Sequence, residues 1–289
     1  MNEHATIPTD VTHLPLAPHH DLPPPLQRTS TPPEQLGQEL TTLIRDAITN
    51  APRSLQKRIG PSELGHDCAR RIGYKLADFP ENPNQLPNWK ATVGTAIHTW
   101  LEHVLDNDNL TYANGHNGEE RWYVENKVSV GDLNGDDIDG TTDAYDRVTG
   151  TVIDWKTCGP AMLKKYRRQI SGQYRKQAHL YGRGWQRKGL TVRHVMVVFL
   201  PRNGELSETV VWHEPYDVQV ALDALERATG IDITVTQLGK AAFQHLPTAD
   251  AYCNRCPFFR AGSVDPALGC PGHPSGDQER SRDQLAGIV

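Results

Sequence analysis

After Pro33, Leu36, Leu40, Leu43, Ile44, Ala47 and Ile48 recur at helical spacing, which predicts an amphipathic helix that stops before Pro52. A second helix is expected to open at Ser62-Glu63-Leu64 and to run through Cys68, Arg70, Arg71 and Tyr74. A third should follow Asn88, with Val93, Ile97, Trp100, Leu101, Val104 and Leu105 on its buried side. The period then changes to two: Trp122, Val124, Val128 and Val130 alternate with Tyr123, Glu125 and Lys127. Two more strands are expected over 138–146 and 152–156, with Thr149-Gly150 as the turn between them. A helix over 171–188 follows, then a β-branched strand over 192–200 whose hairpin partner is 205–213, and a helix over 217–228 with a shorter one after it. Helices, a three-strand meander, a helix and further strands make an α/β fold.

Composition adds a division of the chain. Residues 1–33 hold eight of the 21 prolines and no apolar periodicity, so they read as a disordered leader. Residues 34–110 read as a helical region, 111–240 as the α/β core, and 241–289 as a cysteine-bearing module and tail. No run approaches the ~20 apolar residues of a membrane helix, and no basic-then-apolar leader marks a secretory signal. With five cysteines, an odd number, the expectation is a cytoplasmic protein whose thiols bind metal before they form disulfides.

The net charge of −5 is modest, but it is segregated. Six aspartates and no lysine or arginine lie between Asp132 and Asp146, whereas Trp155 to Gly204 holds twelve lysines and arginines and no acidic residue. A solvated face is the ordinary reading of such runs. Here the sign changes inside one hairpin, between Asp154 and Lys156. Carboxylates gathered on strands repel one another unless a cation neutralises them, and a basic stretch beside them suits a phosphate backbone. Lys164, Lys165, Arg167 and Arg168 are the residues expected to meet phosphates.

In a strand, Asp154 and Lys156 project to one side while Ile153 and Trp155 turn into the packed layer. On the preceding strand Asp139, Thr141 and Asp143 share a face, and Gly140 permits close approach of a backbone or ligand. If the strands pair, Asp143 and Asp154 can hold one Mg²⁺ or Mn²⁺, with Lys156 placed to orient water or to offset developing charge. Asp139 rivals Asp143. His98 lies on the helix ahead of these strands with Glu102 one turn later, and Gln177 and Tyr181 share a face of the helix that follows.

Cys253-x2-Cys256-x13-Cys270 is one thiolate short of a four-cysteine site, and Cys68 is the natural fourth. Spacing alone leaves zinc, with His66 or His273 as substitutes, level with an iron–sulfur cluster. Cys158 reads as a buried thiol outside this set.

Ser62-x-Leu64 with Cys68 and Arg70-Arg71, Gly94-x-x-x-His98, Gly140-x-x-Asp143, Asp154-Trp155-Lys156-Thr157 and Gln177-x-x-x-Tyr181 stand in an order that resembles RecB-like nucleases of the PD-(D/E)XK superfamily. With the cysteines added, the chain is most similar to the CRISPR-associated iron–sulfur exonucleases and their phage relatives. That resemblance implies a restriction-endonuclease-like mixed sheet flanked by helices, with a cysteine-cluster module. His98, Asp143 and Asp154 would be metal ligands, Lys156 the catalytic lysine, and Gln177 and Tyr181 part of a helix motif beside DNA. Glu125 would be a partner behind the ligands. Cys68, Cys253, Cys256 and Cys270 would hold a structural 4Fe–4S cluster. The implied activity is Mg²⁺- or Mn²⁺-dependent exonuclease action on single-stranded DNA, most often 5′ to 3′. Partners would be DNA and proteins of CRISPR adaptation or recombination, with oligomerisation compatible. Thr142 and Trp155 depart from the family's usual aliphatic residue and tyrosine. The rival readings are an idle DNA-binding scaffold of the same fold and a zinc-bearing nucleic-acid-binding regulator.

Overall fold

The structure, a computed structural model, describes residues 32–51, 58–82, 88–249 and 252–274. The expected leader lies outside the described residues apart from its last two, as does the tail beyond 274. Contacts divide the chain into two units, Met1–Ala47 and Ile48–Val289. Helix α1, Pro33–Thr49, takes the range its leucine spacing predicts, and Leu36, Leu40, Leu43 and Ile44 on it are exposed.

In the larger unit the expected second helix is two. Helix α2 (Pro61–Leu64) ends at Gly65, and α3 (Ala69–Leu76) starts after Cys68, its N-cap. Two local features break the run. A β-carbon on Gly65 would lie 2.6 Å from the Gln173 carbonyl oxygen, so the turn is pressed against a neighbouring backbone. The Cys68 N–H donates to His66 Nδ1 at 3.1 Å, in place of a helical carbonyl.

Helix α4 (Trp89–Gly115) is capped by the Asn88 side chain, as placed, but its buried side is narrower than expected. Val93, Ile97, Leu101 and Leu105 form a half-buried ridge at four-residue spacing, while Trp100 and Val104 are exposed. The fully buried residue of this helix is Asn109, which accepts hydrogen bonds from the Arg121 and Trp122 amides and donates to the Trp122 carbonyl. Those bonds tie the helix to the first residues of the sheet.

Five strands follow: β1 (Trp122–Leu133), β2 (Asp136–Asp146), β3 (Thr151–Cys158), β4 (His194–Pro201) and β5 (Val210–Pro215), in spatial order β1-β2-β3-β4-β5. All neighbours are antiparallel except β3 and β4, which are parallel. A parallel pair needs a crossover, supplied by α5 (Pro160–Tyr166) and α6 (Gly172–Arg187). Residues 205–209, expected in the β5 hairpin, instead include a 3₁₀ turn at Leu206–Glu208. Helix α7 (Val218–Leu238) runs ten residues beyond its expected end, and the short α8 (Ala242–His245) follows. The result is an α/β mixed sheet flanked by helices.

One face of the sheet packs Val128, Val130, Tyr145, Val152, Val195, Val197 and Phe199 against α6 and α7. The other carries a smaller cluster of Ala144, Ile153 and Val198, with Trp122, Trp155 and Leu105 of α4 on it. A third cluster joins Ile72 and Tyr74 of α3 to Ile231, Phe243, Phe258 and Cys270, so the C-terminal segment is packed onto an N-terminal helix.

The alternation in β1 and β2 is not continuous. Tyr123 and Val128, five residues apart, face the same core, and Thr142 and Tyr145, three apart, both contact Trp185. The change of phase sits at Glu125, whose φ is +48, and at Asp143, which the register places opposite it. A left-handed glutamate is uncommon and marks local strain.

Candidate active site

β2 and β3 pair only through Ala144–Ile153, Tyr145–Val152 and Asp146–Thr151, whereas β3 and β4 pair along all eight residues of β3. Beyond Ile153 the two strands part, and Asp143 fills the gap: its Oδ2 accepts from the Trp155 N–H at 2.6 Å. Its Oδ1 lies 3.3 Å from His98 Nδ1 on α4. Burial works to raise the Asp143 carboxyl, but His98 and Lys156 outweigh it and hold it below its ordinary value. Burial works against charge on His98 as well, yet the Asp143 carboxylate leaves the imidazole above its usual value.

Asp154 projects to the α6 side and is 2% exposed. Gln177 Nε2 donates to its Oδ1 at 3.0 Å. Lys156 forms an ion pair with Oδ2, although no well-directed hydrogen bond reaches that oxygen. Burial pushes the Asp154 carboxyl up to about 6, against the pull of Lys156 and with the repulsion of Asp143. Burial disfavours the Lys156 ammonium, but the two aspartates more than compensate and keep it a cation. Gln177 Oε1 is buried with no hydrogen-bond partner among the described residues.

His98, Glu125 and Asp143 each present a ligand atom, and these atoms all lie within 4.8 Å of one another. Two carboxylates and an imidazole suit a divalent cation such as Mg²⁺ or Mn²⁺. The left-handed turn at Glu125 brings this exposed side chain to the set. The resemblance implies Glu125 as a partner behind the ligands; here its carboxylate lies within 4.8 Å of the His98 and Asp143 donor atoms, while Asp154 is engaged by Lys156 and Gln177. A backbone phase change inside a strand has no composition signal, and that is what puts Glu125 at the front.

Asp139 is not part of the set: it pairs with Lys127 at 2.7 Å across β1. Gly140 does allow a close approach, and the approaching groups are the Pro61 and Tyr181 rings, 2.7 and 2.9 Å from where a β-carbon would sit. Tyr181 is thereby packed beside the site, one helical turn from Gln177. Thr142 is fully buried and accepts from the Trp185 indole at 3.1 Å, so its hydroxyl has a structural partner. Trp155 packs in the smaller cluster.

Cys68, Cys253, Cys256 and Cys270 line one cavity, with His66 and His273 at its wall. Burial pushes the Cys256 thiol up to about 11 and also raises that of Cys270, with Arg71 and Arg70 opposing. Among the described residues, no three donors at this cavity lie within 4.8 Å of one another. Cys158 is buried in the main core, apart from this set.

The sequence matches no family model and no curated protein. Solved structures that resemble this chain include SSO0001, at 16% identity and a TM-score of 0.49 over 76% of this chain and 94% of that one. An alkaline exonuclease from Laribacter hongkongensis is similar at 10% identity and a TM-score of 0.33, over 63% of this chain and 91% of its own. A phage-related exonuclease from Haemophilus somnus 129PT is similar at 10% identity and a TM-score of 0.31, over 49% and 74%. No described helix is long and apolar enough to cross a membrane.

Proposed function

We propose that the chain is a metal-dependent DNA exonuclease whose fold is stapled by a 4Fe–4S cluster. The observation that carries this reading is the gap between β2 and β3, where the His98, Glu125 and Asp143 donors stand beside the Asp154–Lys156 pair. The order of motifs along the chain supports it independently.

His98, Glu125 and Asp143 would hold the divalent ion, and Asp154, a ligand by the resemblance, stays paired with Lys156 beside them. A bound Mg²⁺ or Mn²⁺ supplies Lewis acidity toward the scissile phosphoryl group and lowers the pKa of water. Lys156 is a cation fixed by a buried carboxylate, so its part is to offset charge growing on the phosphoryl oxygens. Gln177 fixes Asp154, and its unpaired oxygen is free to accept from the attacking water. His98 holds the Asp143 carboxylate in position from α4.

Four cysteines at one cavity support a four-thiolate site, and the family resemblance favours a cluster over zinc there. Cys68, Cys253, Cys256 and Cys270 would ligate the cluster, and its role would be structural, since hydrolysis moves no electrons. Arg70 and Arg71 stand near to balance thiolate charge.

Single-stranded DNA degraded from an end, 5′ to 3′, is the substrate and direction that the family resemblance implies. Oligonucleotides labelled at either end, single- or double-stranded, test it with protein purified without oxygen. Short labelled products appearing first from the 5′ label on single strands are expected. Internal cuts, or no cutting of any substrate with Mg²⁺ or Mn²⁺ present, would overturn the assignment.

A further inference from the structure

The twelve cations between Trp155 and Gly204 do not act as one basic face. Lys156 pairs with Asp154, Arg175 with Glu214, Lys176 with Asp67 and Arg187 with Asp137. Arg167, Arg183 and Arg202 donate to the carbonyls of Glu208, Val130 and Thr157. Lys188 lies over the Trp185 ring, and Arg193 is exposed with its stem against Gly150, making no side-chain hydrogen bond, ion pair or ring contact with a described residue. Three more stand together: Lys164, Lys165 and Arg168 are exposed and likewise make no side-chain hydrogen bond, ion pair or ring contact with a described residue. All three line one open concavity of about 420 Å³ at α5 and the turn after it, together with Ala161, Gln169 and Ile170.

The fold ties that concavity to the site. Helix α5 buries Leu163 and Tyr166 on its opposite side. The Tyr166 ring meets Tyr174 at 5.7 Å between centroids, and the other side of the contact chain is Lys156, whose Nζ is 5.5 Å from the Tyr174 ring. Two ring contacts therefore separate the unpaired cations from the lysine of the site.

We infer that the Lys164, Lys165 and Arg168 concavity binds backbone phosphates of the DNA strand at a distance from the scissile bond, as a subsite that holds long substrates. The identity of the strand rests on the nuclease reading. Unpaired cations around a hollow, with no acidic residue among its lining residues, suit a polyanion that tracks past them. Their contacts fix the strand's position and read no bases.

The test is equilibrium binding of a fluorescent single-stranded oligonucleotide to the full chain, purified without oxygen, over a series of KCl concentrations with no divalent metal. In a Lys164→Ser, Lys165→Ser, Arg168→Ser triple variant, the slope of log K against log salt should fall by about two, since each single-strand phosphate contributes ~0.7. Arg187→Ser, which removes a cation already paired with Asp137, should leave the slope unchanged. In cleavage assays the triple variant should raise KM for the oligonucleotide by about tenfold or more, with kcat and the turnover of a dinucleotide unchanged.

Binding and cleavage can fail separately. A wild type that binds with the three-residue slope but does not cleave keeps this inference and removes the nuclease reading. Cleavage with slope and KM unaltered in the triple variant does the reverse. A wild type that does not bind the oligonucleotide overturns the inference. So does loss of binding to phosphatidylglycerol vesicles with DNA affinity intact, which would assign the concavity to a lipid surface.

Discussion

The Asp143 carboxylate accepts a 2.6 Å hydrogen bond from the Trp155 N–H, and so stands where the next rung of the β2–β3 ladder would be. A side chain takes the place of a backbone carbonyl, and the strands open around it. Opposite it, Glu125 takes the left-handed backbone that turns its carboxylate toward the same space.

That strain gives two effects of opposite sign. Asparagine tolerates a left-handed backbone better than glutamate, which stores about 1–2 kcal/mol there. Glu125→Asn should therefore raise stability by up to about 1 kcal/mol in urea unfolding, while weakening Mn²⁺ binding, measured calorimetrically, by about tenfold or more. A variant that loses stability and keeps its metal affinity would show that Glu125 is held for packing.

Gly140→Ala should be destabilising by about 1–3 kcal/mol, because its β-carbon would meet both Pro61 and Tyr181. Both rings belong to rigid neighbours, so neither yields cheaply. Activity should fall with stability, since the Tyr181 ring beside the site must shift. Thermal melts and cleavage rates on the same preparation separate this from a purely local effect.

The acid limb of stability should depend on Asp146. Burial works to raise its carboxyl, but hydrogen bonds from Arg121, Thr149 and the Val148 amide hold it below its ordinary value. A depressed carboxyl stabilises fully above the unfolded value, about 3.9, and the contribution is lost as pH falls from there through the folded value. Asp146→Asn should cost about 1–3 kcal/mol at neutral pH and flatten the decline between roughly pH 5 and pH 2. Melting temperatures across that range check it; parallel curves would contradict it.

Cys68→Ser should behave like Cys256→Ser, although the two residues lie near opposite ends of the described chain. If the proposed cluster is bound, each should lose its visible absorbance and loosen the third core, where Tyr74 meets Phe243 and Phe258 at 4.3 and 5.3 Å between ring centroids. Iron content, absorbance and proteolysis of the C-terminal segment read this out. A stable, colourless, active Cys256→Ser protein would contradict the cluster reading.

What the sequence made legible was periodic or ordered along the chain. The β3 alternation placed Asp154 and Lys156 together, the 3.6-residue pattern placed His98 on α4, and a three-cysteine set one short of four called for Cys68, which lines the same cavity. Interruptions of a period were not legible. The α2–α3 break depends on Gly65 meeting the Gln173 carbonyl, a contact from another element. The exposure of Trp100 and Val104 follows from a ridge that touches the sheet only every fourth residue. The basic run looked uniform because a sequence does not say which cations already have partners. Asp139 and Asp143 were equivalent by alternation, and Lys127 across the strand separates them.

The central claim is tested most directly by Mn²⁺-dependent hydrolysis of end-labelled DNA by wild type, Asp143→Asn and Lys156→Ala, each shown folded by circular dichroism. The expected result is processing by the wild type and a loss of at least about 10²–10³-fold in both variants. Wild-type rates in Lys156→Ala, or no hydrolysis by metal-loaded wild type on single- or double-stranded DNA, would contradict it.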